Sequence, residues 1–204
     1  MAIRKGQDWG ESGRLAADGL VVSSNAELRI VVDRALRSGE PLPEVGLLGG
    51  DLAATLGAPG HRERLFSDDA QRLQIDLGSV RLDGGERHWF VSHLVARRTW
   101  WFGQLLLVAN ASWMGTWNIA PRAHPGDGRL DLFDTSMSAA QRWQGRRRLA
   151  HGGHVPHPLV TTRRVKDLDL GLDRSLTVYL DGNAVGDATQ LSVRCDPGAL
   201  TVVV

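Results

Sequence analysis

Apolar residues at helical spacing mark the first long element of the chain. They recur every three or four positions and so share one helix face: Leu28, Val31, Val32, Ala35 and Leu36. Ser24 and Glu27 have the spacing of a capping box, and Gly39 followed by Pro41 is typical of a helix end. The pattern therefore predicts a helix that begins just after Ser24 and ends at Gly39.

Short apolar runs on either side of this helix predict two buried strands, at residues 20–22 and 45–48. A second, shorter helix is expected at 52–57, with Asp51 as its N-cap and Gly57 as its terminator. This alternation of strands and helices is typical of a parallel α/β layer, which normally needs more strands to cover both faces. We therefore expect a reduced α/β fragment over residues 1–58.

After residue 58 the apolar period changes from helical spacing to alternation, which predicts a β-rich domain over residues 59–204. The expected strands are 73–82, 89–95, 104–110, 130–137, 167–172, 175–180, 191–195 and 200–204. Tight turns are expected at 83–85 and 181–183, and one helix over about 138–149 interrupts the series. The predicted fold class is α+β, in which the fragment packs on a mainly antiparallel sandwich or barrel.

Composition narrows the classes of partner. The chain has 204 residues, with 24 Lys and Arg against 23 Asp and Glu, so its net charge of +1 gives no overall attraction for nucleic acid or an anionic membrane. The single cysteine, Cys195, excludes an internal disulfide and a cysteine metal cluster. No apolar run approaches the ~20 residues of a membrane span, and we expect a cytoplasmic protein.

Five short segments occur in an order that is informative as a set. They are Ser23-Ser24-Asn25-Ala26-Glu27, Gly49-Gly50-Asp51, Ile75-Asp76-Leu77-Gly78, Asp127-Gly128-Arg129-Leu130-Asp131 and Asp181-Gly182-Asn183. This order resembles that of the diacylglycerol kinase and sphingosine kinase superfamily, which is NAD-kinase-like, over residues 16–204. There the counterparts are a GGDGT loop, a GTxND loop, an iDlg strand, a DGxLD segment and a DGE turn. The resemblance implies a nucleotide domain followed by a β-rich lipid-kinase domain.

The departures from the family pattern bear on catalysis. The counterpart of the GGDGT loop has no glycine, and Glu27 places a carboxylate where the resemblance implies nucleotide phosphates. The family's DGE glutamate, implied to be a general base, is Asn183, whose amide cannot take a proton, while Asp181 remains as an orienting carboxylate. The sequence therefore indicates a truncated, catalytically degenerate member, and ATP is not expected as a cofactor.

The resemblance also implies a divalent cation, because bacterial members can hold one on the DGxL segment. Asp127 would supply a carboxylate, and His124 and Arg129 would supply backbone carbonyls, which suits Mg²⁺ or Ca²⁺. The alternative is an Asp-Gly turn that makes its own Asx hydrogen bonds.

Two short segments, 97–102 and 142–148, each group arginines with aromatic residues. A basic group on the helix near 138–149 could bind anions or lipid headgroups: Arg142, Arg146, Arg147 and Arg148. The segment 97–102 joins two arginines to Trp100, Trp101 and Phe102, a composition that suits interfacial lipid, a sugar or a partner protein. A solvated helix face and core packing are the alternatives.

Three hypotheses follow for function. The leading one is a diacylglycerol-kinase-like pseudokinase whose β-rich domain binds a lipid, another small molecule or a protein. The second is an active ATP-dependent kinase for a lipid or small polyol, with an altered nucleotide loop. The third, a basic module that binds nucleic acid, is disfavoured by the net charge. The open edge of the reduced sheet also suggests a homodimer.

Overall fold

A computed structural model describes residues 9–149 and 158–204, without the side chains of 146–149. Its helices are Asn25–Ser38 (α1), Asp51–Thr55 (α2), Arg62–Leu65 (α3) and Ala139–Leu149 (α4). Its strands are Glu11–Ser12 (β1), Leu20–Val22 (β2), Val45–Leu47 (β3), Gln71–Leu82 (β4), Arg87–Phe90 (β5), His93–Arg97 (β6), Leu105–Ala109 (β7), Trp113–Met114 (β8), Trp117–Asn118 (β9), Leu130–Thr135 (β10), Val160–Val165 (β11), Asp167–Leu180 (β12) and Asn183–Val203 (β13).

Most of the strands in the described part of the chain join one sheet of eleven strands. Its main order is β1-β4-β13-β12-β6-β7-β10-β11, while β5 pairs with β4 and the parallel pair β2 and β3 joins through β13. The strands β8 and β9 form a separate hairpin. The α+β class with a mainly antiparallel β-rich part is confirmed.

The long strand β13 connects the two parts of the fold. Its first half pairs antiparallel with β12, beginning at Asn183 opposite Leu180, and its end pairs parallel with β3, where Val202 lies opposite Val45. One sheet therefore runs from the β-rich part into the α/β part. The predicted division at residue 58 stays a prediction.

The helix α1 forms as the sequence predicts. Ser24 is its N-cap, and the Ser24 hydroxyl accepts a hydrogen bond from the Glu27 amide at 3.2 Å. Gly39 ends the helix in the left-handed region, at φ 73°. Leu28 and Val32 are buried against the sheet, so the apolar stripe supplies the contact between this helix and the core.

The predicted strand at 89–95 is wrong, because the chain breaks there into β5 and β6. The break occurs because the amide groups of Val91 and Ser92 donate to the Asp181 carboxylate. Two other predicted divisions are also wrong. The segments 167–172 and 175–180 are one strand, β12, with a register shift, and 191–195 and 200–204 are both parts of β13.

Several elements have no periodic pattern in the sequence and were not predicted. They are β1, α3, β8, β9 and β11. The strand β11 is mostly polar and exposed, so alternation does not mark it. The strand β2 lies at an edge of the described sheet, since β3 is its partner there, and a homodimer through such an edge stays a prediction. No helix of the described residues is long and apolar enough to cross a membrane.

Candidate functional site

The two predicted nucleotide loops lie side by side, because the parallel strands β2 and β3 end at the same edge of the sheet. Gly50 has φ 96°, and a Cβ built there would lie 2.5 Å from Asn25 Oδ1. A Cβ at Gly49 would lie 2.7 Å from the Ser23 carbonyl oxygen. The carboxyl edge of parallel strands is the usual place for ligands in α/β sheets. The structure therefore brings these sequence candidates together.

The first of these loops, residues 23–27, is closed by its own side chains. The Glu27 carboxylate accepts a hydrogen bond from the Ser23 amide at 2.7 Å, while the Ser24 hydroxyl caps the Glu27 amide. Ala26 is half-buried and adds no polar group. A bound phosphate needs such amides as donors, and here two of the loop amides already have acceptors from the protein.

The predicted role of Asp51 as N-cap of α2 is wrong. Gly50 holds the N-cap position, and the amide of Leu52 donates to Asn25 Oδ1 at 3.2 Å instead. The Asp51 carboxylate is drawn away because it accepts from Asn25 Nδ2 at 3.0 Å and from the Gly115 amide at 2.6 Å. Burial raises the pKa of Asp51, but the nearby His93 ring and the hydrogen bonds from Gly115 and Asn25 outweigh it, so the net pKa is lowered.

A histidine that the sequence analysis did not single out lies at the centre of the site. His93 is 3% exposed, and its Nδ1 lies 2.8 Å from Ser92 Oγ and 3.7 Å from Asp51 Oδ2. Its Nε2 lies 3.0 Å from the Ala111 carbonyl oxygen, which can only accept, so Nε2 carries a hydrogen. The signal in the sequence was the polar pair at 92–93 inside the apolar run 90–96.

The hairpin turn between β12 and β13 meets the same histidine. Asp181, at φ 48°, accepts hydrogen bonds from the amides of Val91, Ser92 and His93 at 2.9, 2.8 and 3.1 Å. Burial raises the pKa of Asp181 to about 6, although these amides lower it. Asn183 is exposed. Asp181 therefore holds the backbone at the β5 and β6 break, while Asn183 lies at the surface.

These contacts join residues from the two loops, the break between β5 and β6 and the turn into one group, called here the polar cluster: Asn25, Asp51, Ser92, His93 and Asp181. Both ring nitrogens of His93 have partners inside the protein. The Asp51 carboxylate has access to solvent beside the loops, because its side chain is 24% exposed. As arranged, the cluster positions backbone segments.

Asp76, from the segment 75–78, binds the loop before β10 and the register shift within β13. It is fully buried, and its carboxylate accepts from the amides of Gly128 at 2.6 Å and Gly198 at 2.9 Å. Burial raises the pKa of Asp76. Asn110 adds a bond from its Nδ2 to the Asp76 carbonyl oxygen at 2.8 Å. Asp76, which lies in one of the five segments that carry the sequence resemblance, therefore has a structural role in β4 and β13.

The predicted cation loop is bonded within the protein. The Asp127 amide donates to the His124 carbonyl at 3.3 Å, and the Asp127 carboxylate accepts from the Arg129 amide at 3.0 Å and from the Arg164 guanidinium. A divalent cation does not fit these oxygen ligands as long as the Arg164 guanidinium is bonded to the Asp127 carboxylate. Binding of Mg²⁺ or Ca²⁺ there stays a prediction that requires Arg164 to move.

Asp131 lies beside this loop and is 6% exposed. Its Oδ1 lies 3.6 Å from Arg164 Nε, while its Oδ2 has no partner within the described residues. Burial raises the pKa of Asp131 to about 6, although Arg164 lowers it. Across the described ranges, no group of three or more His, Cys, Asp or Glu side chains is placed to hold a metal ion.

The predicted basic group lies on α4, next to the loop between β6 and β7. Arg142 donates to the Trp100 carbonyl at 3.0 Å and to the Gly103 carbonyl. The side chains of Arg146, Arg147 and Arg148 lie outside the described part of the chain. The loop exposes three aromatic rings and α4 a fourth: Trp100 by 45%, Trp101 by 51%, Phe102 by 59% and Trp143 by 60%.

Known proteins share this architecture. A protein-family model described as the YegS C-terminal NAD kinase beta sandwich-like domain matches residues 78–204. A structure provisionally described as a diacylglycerol kinase from Bacillus anthracis str. Sterne is similar, with a TM-score of 0.70 at 13% identity over 91% of this chain and 77% of that chain. A diacylglycerol kinase structure from the same organism has a TM-score of 0.57 at 14% identity over 79% and 66%. No curated protein matches by sequence.

Proposed function

The chain belongs to the family of YegS C-terminal NAD kinase beta sandwich-like domains, and from this premise we propose that it docks on a lipid interface without transferring a phosphoryl group. Its fold is diacylglycerol-kinase-like. The observation that carries the docking proposal is the group of exposed aromatic rings on the β6 to β7 loop and α4.

We call this group the aromatic patch and define it by Trp100, Trp101, Phe102 and Trp143. Large apolar side chains exposed together are typical of protein or membrane contacts. Tryptophan rings favour the boundary between water and lipid, because they combine an apolar body with a polar N–H. The other three exposed large hydrophobic side chains of the described residues are Leu20 on β2, Ile30 on α1 and Leu159 just before β11.

Cations lie beside the aromatic patch. The Arg97 guanidinium stacks between Trp100 and Tyr179, at 4.2 and 4.3 Å from the ring centroids. Arg98 follows it in the sequence, and Arg142 ties α4 to the loop. Arginines next to interfacial aromatic residues complement the anionic headgroups of a membrane surface. This composition favours a lipid interface over an uncharged apolar partner.

The nucleotide loop supports the absence of phosphoryl transfer. A kinase loop presents backbone amides to nucleotide phosphates. Here the Glu27 carboxylate occupies the Ser23 amide, and its negative charge would repel a phosphate at the same place. Residues 23–27 include no glycine, so their side chains also restrict how closely a phosphate can approach the backbone.

The residues that correspond to the family's DGE turn, where the phosphoryl acceptor would be deprotonated, support the same proposal. An amide at Asn183 cannot act as a general base. The neighbouring carboxylate, Asp181, accepts three backbone hydrogen bonds and therefore has a structural role at the strand break. The proposed function thus combines a lipid-facing surface with a family site whose charged groups serve the fold.

Vesicle flotation tests the docking proposal. The protein should float with vesicles of mixed phosphatidylcholine and phosphatidylglycerol, and more weakly with vesicles of phosphatidylcholine alone, because the arginines add an electrostatic contribution. The anionic part of the binding should weaken as salt is raised. If the protein floats with neither vesicle type at low salt, the docking proposal is wrong.

A working lipid kinase is the rival. It would also bind vesicles, so it is distinguished by ATP-dependent phosphorylation of diacylglycerol presented in the same vesicles. We expect no labelled product above a blank without protein. Product formation would overturn the part of the proposal that concerns phosphoryl transfer and would leave the docking result standing.

A further inference from the structure

Three arginines and two serines line a small cavity formed by β4, β5 and β13. The cavity has a volume of about 240 Å³, and it is lined by Ser79, Val80, Arg81, Arg87, Ser192 and Arg194. No carboxylate is among these residues. Its volume lies below the range of roughly 300–1,000 Å³ that is usual for sites of drug-sized ligands, so a small charged group suits it better than a whole nucleotide.

The strand register places the polar lining on one face. Arg81 on β4 lies opposite Arg87 on β5 and opposite Ser192 on β13. Two positions earlier on β4, Ser79 lies opposite Trp89 and Arg194. Positions two apart on a strand point to the same side. The two cross-strand rows therefore bring three guanidinium groups and two hydroxyl groups to the same surface.

Two of the three arginines, Arg81 and Arg87, have no ion pair within the described residues, while Arg194 lies opposite Asp167 on β12. Like charges directly opposite each other across a strand pair are destabilising, and Arg81 faces Arg87. Arg81 Nη1 donates to the Gly85 carbonyl at 2.8 Å, and Arg194 Nε lies 3.9 Å from Asp167 Oδ1. An anion in the cavity would relieve the repulsion.

A buried hydroxyl lines the same cavity. Ser79 is 1% exposed and is one of the residues that line the cavity. A second cavity, near 550 Å³, makes the contrast clear, because its Arg98 and Arg174 are accompanied by Asp173 and Asp187. Of these two cavities, the excess positive charge lies in the one that holds Ser79.

The geometry points to a binding site for a tetrahedral oxyanion, formed by Ser79, Arg81, Arg87, Ser192 and Arg194. Its ligand class is inorganic phosphate or the phosphomonoester group of a larger molecule. Guanidinium groups donate paired hydrogen bonds to phosphate oxygens, and serine hydroxyls can complete the shell. The inference is independent of lipid docking and of phosphoryl transfer.

Calorimetric titration of the full chain with sodium phosphate, at constant ionic strength, tests the site. Arg87→Gln should weaken phosphate binding about tenfold, because it removes a charge-assisted donor. Arg62→Gln changes an exposed arginine on α3 and should bind as the wild type does. If titration with phosphate gives the same heat as titration with chloride, or if the wild type and Arg87→Gln bind phosphate with equal affinity, the proposed site is wrong.

Thermal unfolding provides a readout that does not depend on Arg87→Gln being fully native. In chloride, Arg87→Gln should melt no lower than the wild type, because the substitution removes the repulsion with Arg81. In phosphate, the wild type should gain stability and the variant should gain less. An equal gain in both proteins would contradict the site.

Glycerol 3-phosphate distinguishes the two sources of the ligand. If it binds more tightly than inorganic phosphate, the ligand is a larger phosphomonoester; if the two bind equally, the ligand is free phosphate.

Discussion

The polar cluster and the aromatic patch have opposite relations to water. In the polar cluster, Asn25, Ser92 and His93 are buried. The polar side chains of the cluster are bonded to the protein: Asp181 accepts three amides, and His93 has a partner at each ring nitrogen. In the aromatic patch, large apolar rings are held outside, with Phe102 at 59% exposed. The first arrangement places polarity in the interior, and the second places apolar surface in solvent.

Folding of the chain accounts for the polar cluster but does not account for the aromatic patch. Buried polar groups with partners are ordinary for a folded core, so the cluster needs no ligand to account for it. Grouped exposed aromatic rings gain little in the free protein and gain most when a partner covers them. Under the proposed function, the positions that correspond to kinase motifs serve the fold, and we assign binding to a surface that those motifs do not include.

The largest expected effect comes from the carboxylate at the centre of the strand break. Asp181→Ala leaves the amides of Val91, Ser92 and His93 without acceptors, so we expect a loss of about 3 kcal/mol in the free energy of unfolding. Urea denaturation measures this loss. Asn183→Ala, at the exposed end of the same turn, should change stability by less than about 0.5 kcal/mol. Similar losses in both variants would contradict the structural role of Asp181.

The aromatic patch should respond in the opposite way, through binding rather than stability. The double variant Trp101→Ser, Phe102→Ser removes two exposed rings and should weaken binding to mixed phosphatidylcholine and phosphatidylglycerol vesicles about tenfold or more. Its urea midpoint should stay close to that of the wild type, because surface changes cost little. Ile30→Ser, an exposed apolar residue on α1, is the control and should leave vesicle binding unchanged.

A smaller effect is expected from the bridge between the two loops. Asn25→Ala removes both the acceptor for the Leu52 amide and the donor to Asp51. The expected loss is about 1–2 kcal/mol in the free energy of unfolding, as for a helix cap. Ser23→Ala is the control, because Ser23 takes part through its backbone amide. If the control loses as much stability, the side chain of Asn25 is not the connection that we describe.

The smallest effect is expected from restoring the family glutamate. Asn183→Glu lies at an exposed turn, so the free energy of unfolding should shift by no more than about 0.5 kcal/mol. We expect no ATP-dependent phosphorylation of diacylglycerol or a sphingoid base, because a carboxylate there does not open the loop at residues 23–27. Turnover by this variant, measured with radiolabelled ATP, would show that the nucleotide site works and that Asn183 was its defect.

Local patterns predicted local structure well. The cap at Ser24, the end at Gly39 and the turn at 181–183 depend on residues close together in sequence, and all three form. The polar cluster depends on contacts across many residues: Asn25 takes over the cap of α2, and Asp181 reaches the amides at 91–93. Propensity and spacing contain no information about such pairs, which explains why His93 was missed and why Asp51 was given the wrong bond.

Calorimetric titration with Mg·ATP tests whether the family's nucleotide and acceptor positions serve the fold rather than bind a nucleotide. With Glu27 held on the Ser23 amide, we expect no saturable heat at micromolar protein and nucleotide concentrations. Saturable binding with a micromolar Kd would contradict it, since the loop at residues 23–27 would then have to open and accept phosphates.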